Sequence, residues 1–228
     1  MDRDGPVIIA GAGIAGLTAA LAFAGRGFCV RVFERSPKLE EVGAGLQLSP
    51  NATRILTQLG VIPLLAPRAV RPEAVVLRRA SDLRALASVP LGDFGERRWK
   101  APYLVAHRAD LQSALLARVS SERSIQLTTG ADVRQAALSP DSVSVSVAIG
   151  SQETRFDGRL LIGADGVWSS LRPLIGRSGK SRFAGEVAWR ATVPRMSAAA
   201  EMLLRIGADV NVTAFLHPGA HMVVYPLR

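Results

Sequence analysis

The sequence has 228 residues, enough for one large domain or two modest ones with a sizeable core. Its 48% hydrophobic and 21% charged content exclude a disordered chain. The formal net charge of +9 comes from basic residues scattered singly or in pairs such as Arg78-Arg79 and Arg97-Arg98; with only 5% aromatics, that argues against nucleic-acid binding and for a basic surface that favours anionic ligands.

The stretch from Gly5 to Gly25 is uncharged and long enough to imitate a membrane span. Gly11, Gly13 and Gly16 would interrupt a spanning helix, and the preceding "MDRD" lacks the positive region of a signal peptide. The expectation is therefore no membrane insertion and a cytoplasmic protein. Val7 to Ala10 is a short apolar run suited to a parallel strand covered on both faces. Gly11-Ala-Gly13-Ile-Ala15-Gly16 follows with G-x-G-x-x-G spacing, then a helix from about Ile14 to Ala24 closed by Gly25 and Gly27. In that arrangement Gly11 permits a tight turn, Gly13 lets the backbone approach a pyrophosphate, and Gly16 lets the helix pack on the strand. The helix N-terminus then offers N–H groups and a positive dipole end to phosphate. A second strand, Phe28 to Phe33, ends in Glu34, 18 residues beyond Gly16 and placed to accept ribose hydroxyls. An acid there disfavours a 2′-phosphate, so the site suits FAD or NAD. Cys29, the one cysteine, reads as a buried structural thiol in a reducing cytosol, and no Cys/His spacing suggests a metal.

Further along, a turn at Gly43-Ala-Gly45 leads into a short apolar strand, and Ser49 or Asn51 caps an amphipathic helix that ends at Gly60. From Pro72 to Tyr103, "PEAVVLRRA" and "LRALASVPLG" read as two strands around a turn at Ser81-Asp82. "HRADLQSALLARV" reads as a helix favoured at its start by Asp110, with Leu111, Leu115 and Leu116 at helical spacing. Arg108 sits just before it, placed to reach an anionic group. The alternating run from Ala131 to Gly158 reads as an antiparallel meander leading back to a buried strand at Leu160 to Ile162. Gly163-Ala-Asp165-Gly166 is then a second tight turn, with Ser169-Ser170 opening another helix. After Arg177, "GEVAWRATVP" and the stretch from Glu201 onward read as strand-rich.

Taken together, "GAGIAG", "VFER", "GAGLQLSPNA", "HRADL", "GADGVWSSLR" and "GEVAWRATVP" resemble the group A FAD-dependent aromatic monooxygenases, in particular the salicylate hydroxylase-like branch. The resemblance runs from Val7 to the last residue. It implies an α/β fold: a Rossmann-type FAD-binding domain with an interleaved antiparallel β substrate domain, incomplete at the C-terminus. On that reading residues 1–71 and 104–180 form the discontinuous FAD-binding domain, and residues 72–103 and 181–228 a partial substrate-binding sheet. The implied cofactor set is Gly11, Gly13, Ala15, Gly16, Glu34, Arg35, Arg108, Gln112, Asp165 and Gly166. Glu34 would hold the adenosine ribose, Arg108 the pyrophosphate and ribityl region, and Asp165-Gly166 both FAD and the reduced nicotinamide. Two bland alternatives stand beside these roles: Gln112 as a solvated helix position, and Asp165 as a turn residue bonding its own backbone.

The implied reaction is hydroxylation of a small, phenol-like aromatic with NADH or NADPH and O2, through a flavin hydroperoxide. The cofactor carries the hard step, while the protein orients the ring, excludes water and assists loss of the phenol proton. Histidine suits that last task. His107 adjoins Arg108 and serves the cofactor side or a cap, His217 falls in a turn, and His221 opens the terminal strand and is the candidate base, with an ordinary strand-edge histidine as the alternative. Arg190 could face the flavin, an acidic substrate or solvent.

Two other readings remain. One is a truncated FAD-binding remnant without turnover; the other, an NAD-dependent dehydrogenase, lacks any hydride-transfer Tyr-Lys pair. The family's Gly-Asp-Ala-Ala-His-type stretch is absent after Arg159. "HMVVYPLR" thus reads as an interruption: either a longer gene continues past Arg228 or the missing half has been lost. The residues alone are expected to hold FAD weakly and to expose apolar surface, with homo-oligomers one way to hide it.

Overall fold

The computed structural model describes residues 5–39, 45–175 and 182–228. In chain order, β1 (Val7–Ala10) leads through α1 (Ile14–Ala24) to β2 (Val30–Glu34). Then come β3 (Gly45–Leu48), α2 (Pro50–Gln58), α3 (Ile62–Leu65), β4 (Ala74–Arg79) and β5 (Ala85–Pro90). They are followed by α4 (Gly92–Trp99), β6 (Leu104–His107) and α5 (Arg108–Ser120). Next are β7 (Ile125–Thr129), β8 (Ala131–Leu138), β9 (Val143–Ile149), β10 (Gln152–Gly158) and β11 (Leu160–Gly163). The last are α5's successor α6 (Ala198–Leu204), β12 (Val212–His217) and β13 (Ala220–Val224). These elements gather into two compact units, Met1–Glu41 with Gln112–Val187, and Val42–Leu111 with Ala188–Arg228.

In the first unit a parallel sheet runs in the order β11-β1-β2-β7. All four residues of β1 are buried, as its unbroken apolar run requires for a strand paired on both edges. The chain moves from β1 outward to β2 and β7 on one side and returns to β11 on the other. The order therefore reverses at β1, and the carboxyl ends there open a crevice. Helix α1 packs through Gly16, Leu17, Ala20 and Leu21. The antiparallel meander β10-β9-β8 matches the expected alternation: Val143, Val145 and Val147 are buried in one cluster with Ile8, Ala10 and Phe33, while Ser144 and Ser146 alternate with them. Each such buried Val contributes roughly 1.5–3 kcal/mol relative to exposure. The pairing of β8 with β9 slips between Val133 and Gln135, so Arg134 is an extra residue bulged out of the ladder.

In the second unit a mixed sheet runs β13-β12-β4-β5, with β12 parallel to β4 and the outer pairs antiparallel. The hairpin β4–β5 is the one expected around Ser81-Asp82. Strands β3 and β6 form a separate antiparallel pair, extended by a bridge between Val70 and Val105. Thr53 on α2 is fully buried, and its hydroxyl donates to the Pro102 carbonyl at 2.7 Å. The Tyr225 hydroxyl donates to the Gly45 carbonyl at 2.7 Å, tying the segment after β13 to β3.

Several expectations differ from the structure. Residues 45–71 and 104–111, expected with the FAD-binding domain, gather in the second unit, where Tyr225 reaches the Gly45 carbonyl and Arg228 the Pro67 carbonyl. No strand forms between Phe183 and Pro194, where Val187 and Trp189 are 71% and 94% exposed and have no ladder partner. Residues Glu201–Leu204, expected among strands, belong to the helix Ala198–Leu204, whose Ser197 side chain accepts the Ala200 N–H at 3.3 Å. The helix expected from Ser169-Ser170 is a short 3₁₀ turn, Arg172–Ile175. Helix α5 begins at Arg108 itself. Cys29, expected to be buried, is exposed one residue before β2, with its carbonyl accepting the Val7 N–H at 2.9 Å. The turn residues Gly43 and Ala44 lie outside the described residues. Among the described residues, no helix is long and apolar enough to cross a membrane.

Candidate cofactor cleft

The carboxyl ends of β1, β2 and β11 open into a cleft of about 420 Å³ in the first unit. The sheet order fixes how its walls succeed one another. Asp132, Val133 and Arg134 of β8 stand beside Glu34 and Arg35, because the Gly130 N–H ahead of β8 donates to the Ser36 carbonyl at 3.1 Å. The glycine loop Gly11–Gly13 comes next, and Ala164, Asp165 and Gly166 close the far side with Trp168 and Ser170.

The three motif glycines do different jobs. A Cβ on Gly16 would lie 1.9 Å from the Gly11 carbonyl oxygen, and one on Gly11 would lie 2.4 Å from the Ala164 oxygen. Both are demanded by close backbone packing, and Gly11 also holds a φ of +102°. A Cβ on Gly13 would meet nothing within 4 Å. Gly13 therefore presents bare backbone to open space at the mouth of α1, whose first turn carries no acid and whose N-cap position has no side-chain cap. The uncapped N–H groups are left for an anionic ligand. Ala15 is exposed in that first turn and, like the buried Gly16, does not line the cleft.

Glu34 is fixed from two sides. The Ala12 N–H donates to its Oε2 at 2.7 Å and the Ser36 N–H to its Oε1 at 2.8 Å. A carboxylate offers about four lone-pair sites, so acceptors remain for a diol. Arg35 is exposed on the cleft rim. Asp165 also lines the cleft, and its Oδ2 accepts the Ser170 and Leu171 N–H groups at 2.9 and 3.3 Å. Its turn-bonding role is thus real, and one oxygen is left over. Gly166 has φ +81°, a conformation that only glycine adopts cheaply.

Of the other expected residues, Gln112 is only 6% exposed, so it is not a solvated helix position, and it does not line the cleft. Arg108 and His221 belong to the second unit. Arg108 is the first residue of α5, following His107 at the end of β6. His221 is exposed on the edge strand β13, opposite Leu216. His217 ends β12, and its Nδ1 accepts the Gly219 N–H at 3.2 Å within the hairpin turn. Arg190 is exposed outside any strand. Asp132, Val133 and Arg134 line the cleft unannounced by any motif, while Trp168 and Ser170 lie within "GADGVWSSLR" but carry no expected cofactor role. Only the placement of "ADVR" just after the Gly130 turn hinted at the first three. Among the described residues, no three His, Cys, Asp or Glu side chains gather as metal ligands.

A switch-point cleft with a glycine-lined helix mouth and a braced carboxylate at the end of the next strand fits a dinucleotide-binding α/β protein. The residues fit the adenosine diphosphate part of FAD: open backbone at Gly13 for the pyrophosphate, Glu34 for the ribose. Residues 4–218 match the family model described as FAD binding domain. The chain is 39% identical over its whole length to 3-amino-4-hydroxybenzoate 2-monooxygenase of Streptomyces cremeus, spanning 55% of that protein. It is 34% identical to 3-hydroxybenzoate 6-hydroxylase 1 of Aquipseudomonas alcaligenes, with 97% of this chain and 54% of that protein covered. Klebsiella pneumoniae HpxO, solved with FAD and uric acid, shares the fold with a TM-score of 0.76 at 24% identity, over 100% of this chain and 54% of its own. The chain belongs to the FAD-binding domain family. It spans about half the length of the curated relatives it matches.

Proposed function

We propose that the protein holds FAD in this cleft and serves an NAD(P)H- and O2-dependent hydroxylation of a small aromatic acid bearing a ring hydroxyl. The observation that carries the reading is the division of labour at the carboxyl ends of β1 and β2: Gly13 leaves its backbone open while Glu34 is held in place by Ala12 and Ser36. The hydroxybenzoate substrates named for the relatives support the substrate class.

Bound FAD would supply the redox chemistry with reduced nicotinamide and O2. This chain's residues bind and orient. The α1 N-terminus and Gly13 backbone would take the pyrophosphate, and Glu34 the ribose hydroxyls. Asp165, with one oxygen committed to Ser170 and Leu171, has the other for the flavin side or the nicotinamide. Arg108 is proposed as a phosphate-side contact and Gln112, one helical turn on, as its companion. His221 is proposed to take the phenol proton, on the support of its exposed place on β13. The exposed Phe183, Trp189 and Met196 support self-association into a homo-oligomer.

Purified protein should take up FAD with a flavin visible spectrum. With NADH or NADPH it should oxidise the nicotinamide faster in the presence of 3-hydroxybenzoate or 3-amino-4-hydroxybenzoate and form a hydroxylated product. A folded protein that takes up no FAD sinks the cofactor reading. One that binds FAD tightly yet forms no hydroxylated product with either acid leaves an FAD-binding module without turnover.

A further inference from the structure

The cleft walls carry a feature that the glycine motif and Glu34 leave unused. Along the crest of the sheet, β8 lies beyond Glu34 on the side away from Gly13 and Asp165, since β7 is the outer neighbour of β2 and runs directly into β8. A nucleotide whose ribose sits at Glu34 and whose phosphates sit at Gly13 must send its base from C1′ towards that outer side. The side chains waiting there are Asp132 and Arg134.

Alternation puts Asp132 and Arg134, two residues apart, on one face, and the ladder bulges at Arg134. In an unbroken alternation from Ala131 and Val133, both buried, Gln135 would be the next residue to turn into the core. The extra residue at Arg134 resets the period, so Ala136 packs against the core cluster instead. Arg134 keeps the face of Asp132, and its Nε lies 3.6 Å from Asp132 Oδ2. Bulges re-aim a side chain at the cost of a ladder bond. A planar guanidinium steered by a neighbouring carboxylate is suited to packing over a heteroaromatic ring.

We propose that Arg134 is a cofactor-positioning residue, packing its guanidinium plane over the adenine of the bound dinucleotide, with Asp132 setting its orientation. The assignment rests on the reading of this cleft as the FAD site. The contact is with the base and not with phosphate, so planarity matters more than charge.

Titration calorimetry with ADP, and quenching of flavin fluorescence with FAD, test this on the whole chain. Arg134→Ala is expected to weaken both ligands about 3- to 10-fold. Arg134→Lys, which keeps the charge but loses the plane, should recover little of that, and Asp132→Asn should fall between wild type and Arg134→Ala. The exposed neighbour Gln135→Ala should match wild type, and unliganded melting temperatures should be unchanged throughout. Full recovery by Arg134→Lys would overturn the stacking assignment in favour of a charge contact. Wild-type affinity in Arg134→Ala, while Gly13→Val abolishes binding, overturns the inference alone. Failure of the wild type to bind either ligand overturns the reading of the cleft and the inference with it.

Discussion

Glu34 Oε2 accepts the Ala12 N–H across 22 positions of sequence, at 2.7 Å. The contact joins the end of β2 to the loop leaving β1, so the group expected to read the ribose also braces the loop expected to hold the pyrophosphate. Cofactor affinity and local stability are therefore coupled through one carboxylate. Glu34→Ala removes a charge-assisted acceptor and should cost about 1–3 kcal/mol of stability, discounted towards the lower end by partial exposure. It should also weaken FAD and ADP binding in calorimetry. An unchanged melting temperature with lost binding would show that Ala12 finds another acceptor.

Gly13 and Gly16 should separate folding from binding. Gly16→Ala places a Cβ 1.9 Å from a backbone oxygen that cannot give way, and the cost should exceed about 3 kcal/mol, read as lost soluble yield or a collapsed melting temperature. Gly13→Ala has open space and an ordinary φ of −67°, so the unliganded melting temperature should hold. FAD affinity should nevertheless fall by about 1–3 kcal/mol, as the new methyl group meets the pyrophosphate.

Burial, and then the neighbouring Tyr225, raise the Tyr103 phenol above the usual tyrosine value. Its hydroxyl donates to Gln47 Oε1 at 2.6 Å. With the pKa raised, the folded chain keeps this proton more tightly than the unfolded one. The contribution is complete below about pH 10 and is lost as pH rises through the folded value. Alkaline denaturation should therefore steepen above about pH 10. Tyr103→Phe should flatten that slope and remove a late phenolate absorbance.

The Tyr225–Gly45 contact is testable at both ends. Tyr225→Phe loses one hydrogen bond and should cost about 1 kcal/mol. Gly45→Ala should cost more, since its Cβ would fall 2.5 Å from Tyr225 Cε2 and 2.7 Å from Leu227 Cδ2. If Gly45→Ala melts at or above the Tyr225→Phe temperature, the two side chains do not occupy that space in solution.

What could be read in the sequence was what local chemistry dictates. Three glycines at fixed spacing with an acid at the next strand's end place β1, α1, β2 and Glu34 correctly. The Val-Ser alternation of β9 announces the meander. Some misreadings depend on partners distant in sequence, while the helix Ala198–Leu204 and the 3₁₀ turn Arg172–Ile175 are local departures. "GEVAWRATVP" has strand-forming residues but no ladder to join. Conversely, β7 is an ordinary short run that becomes a strand only because β2 lies beside it. The pairing of β3 with β6 joins Gly45 to His107, and no local pattern encodes that register. Within the cleft the glycine loop and Glu34 follow a spacing motif, whereas Asp132 and Arg134 enter it because the chain at Gly130 lies beside Ser36, a contact no local pattern encodes.

The central strand sets a timetable for synthesis. β1 is flanked by Val30 on one side and Leu160 on the other, so Val7 must wait 153 residues for its second neighbour. At translation rates of about 5–20 residues per second, that is roughly 8–30 seconds during which an apolar strand has one edge uncovered. The chain that emerges in the interval includes Val75, which likewise waits for Val212. Neither unit can close before the other has been partly made. Their nested order makes the nascent chain, more than the finished one, the form that chaperones would meet.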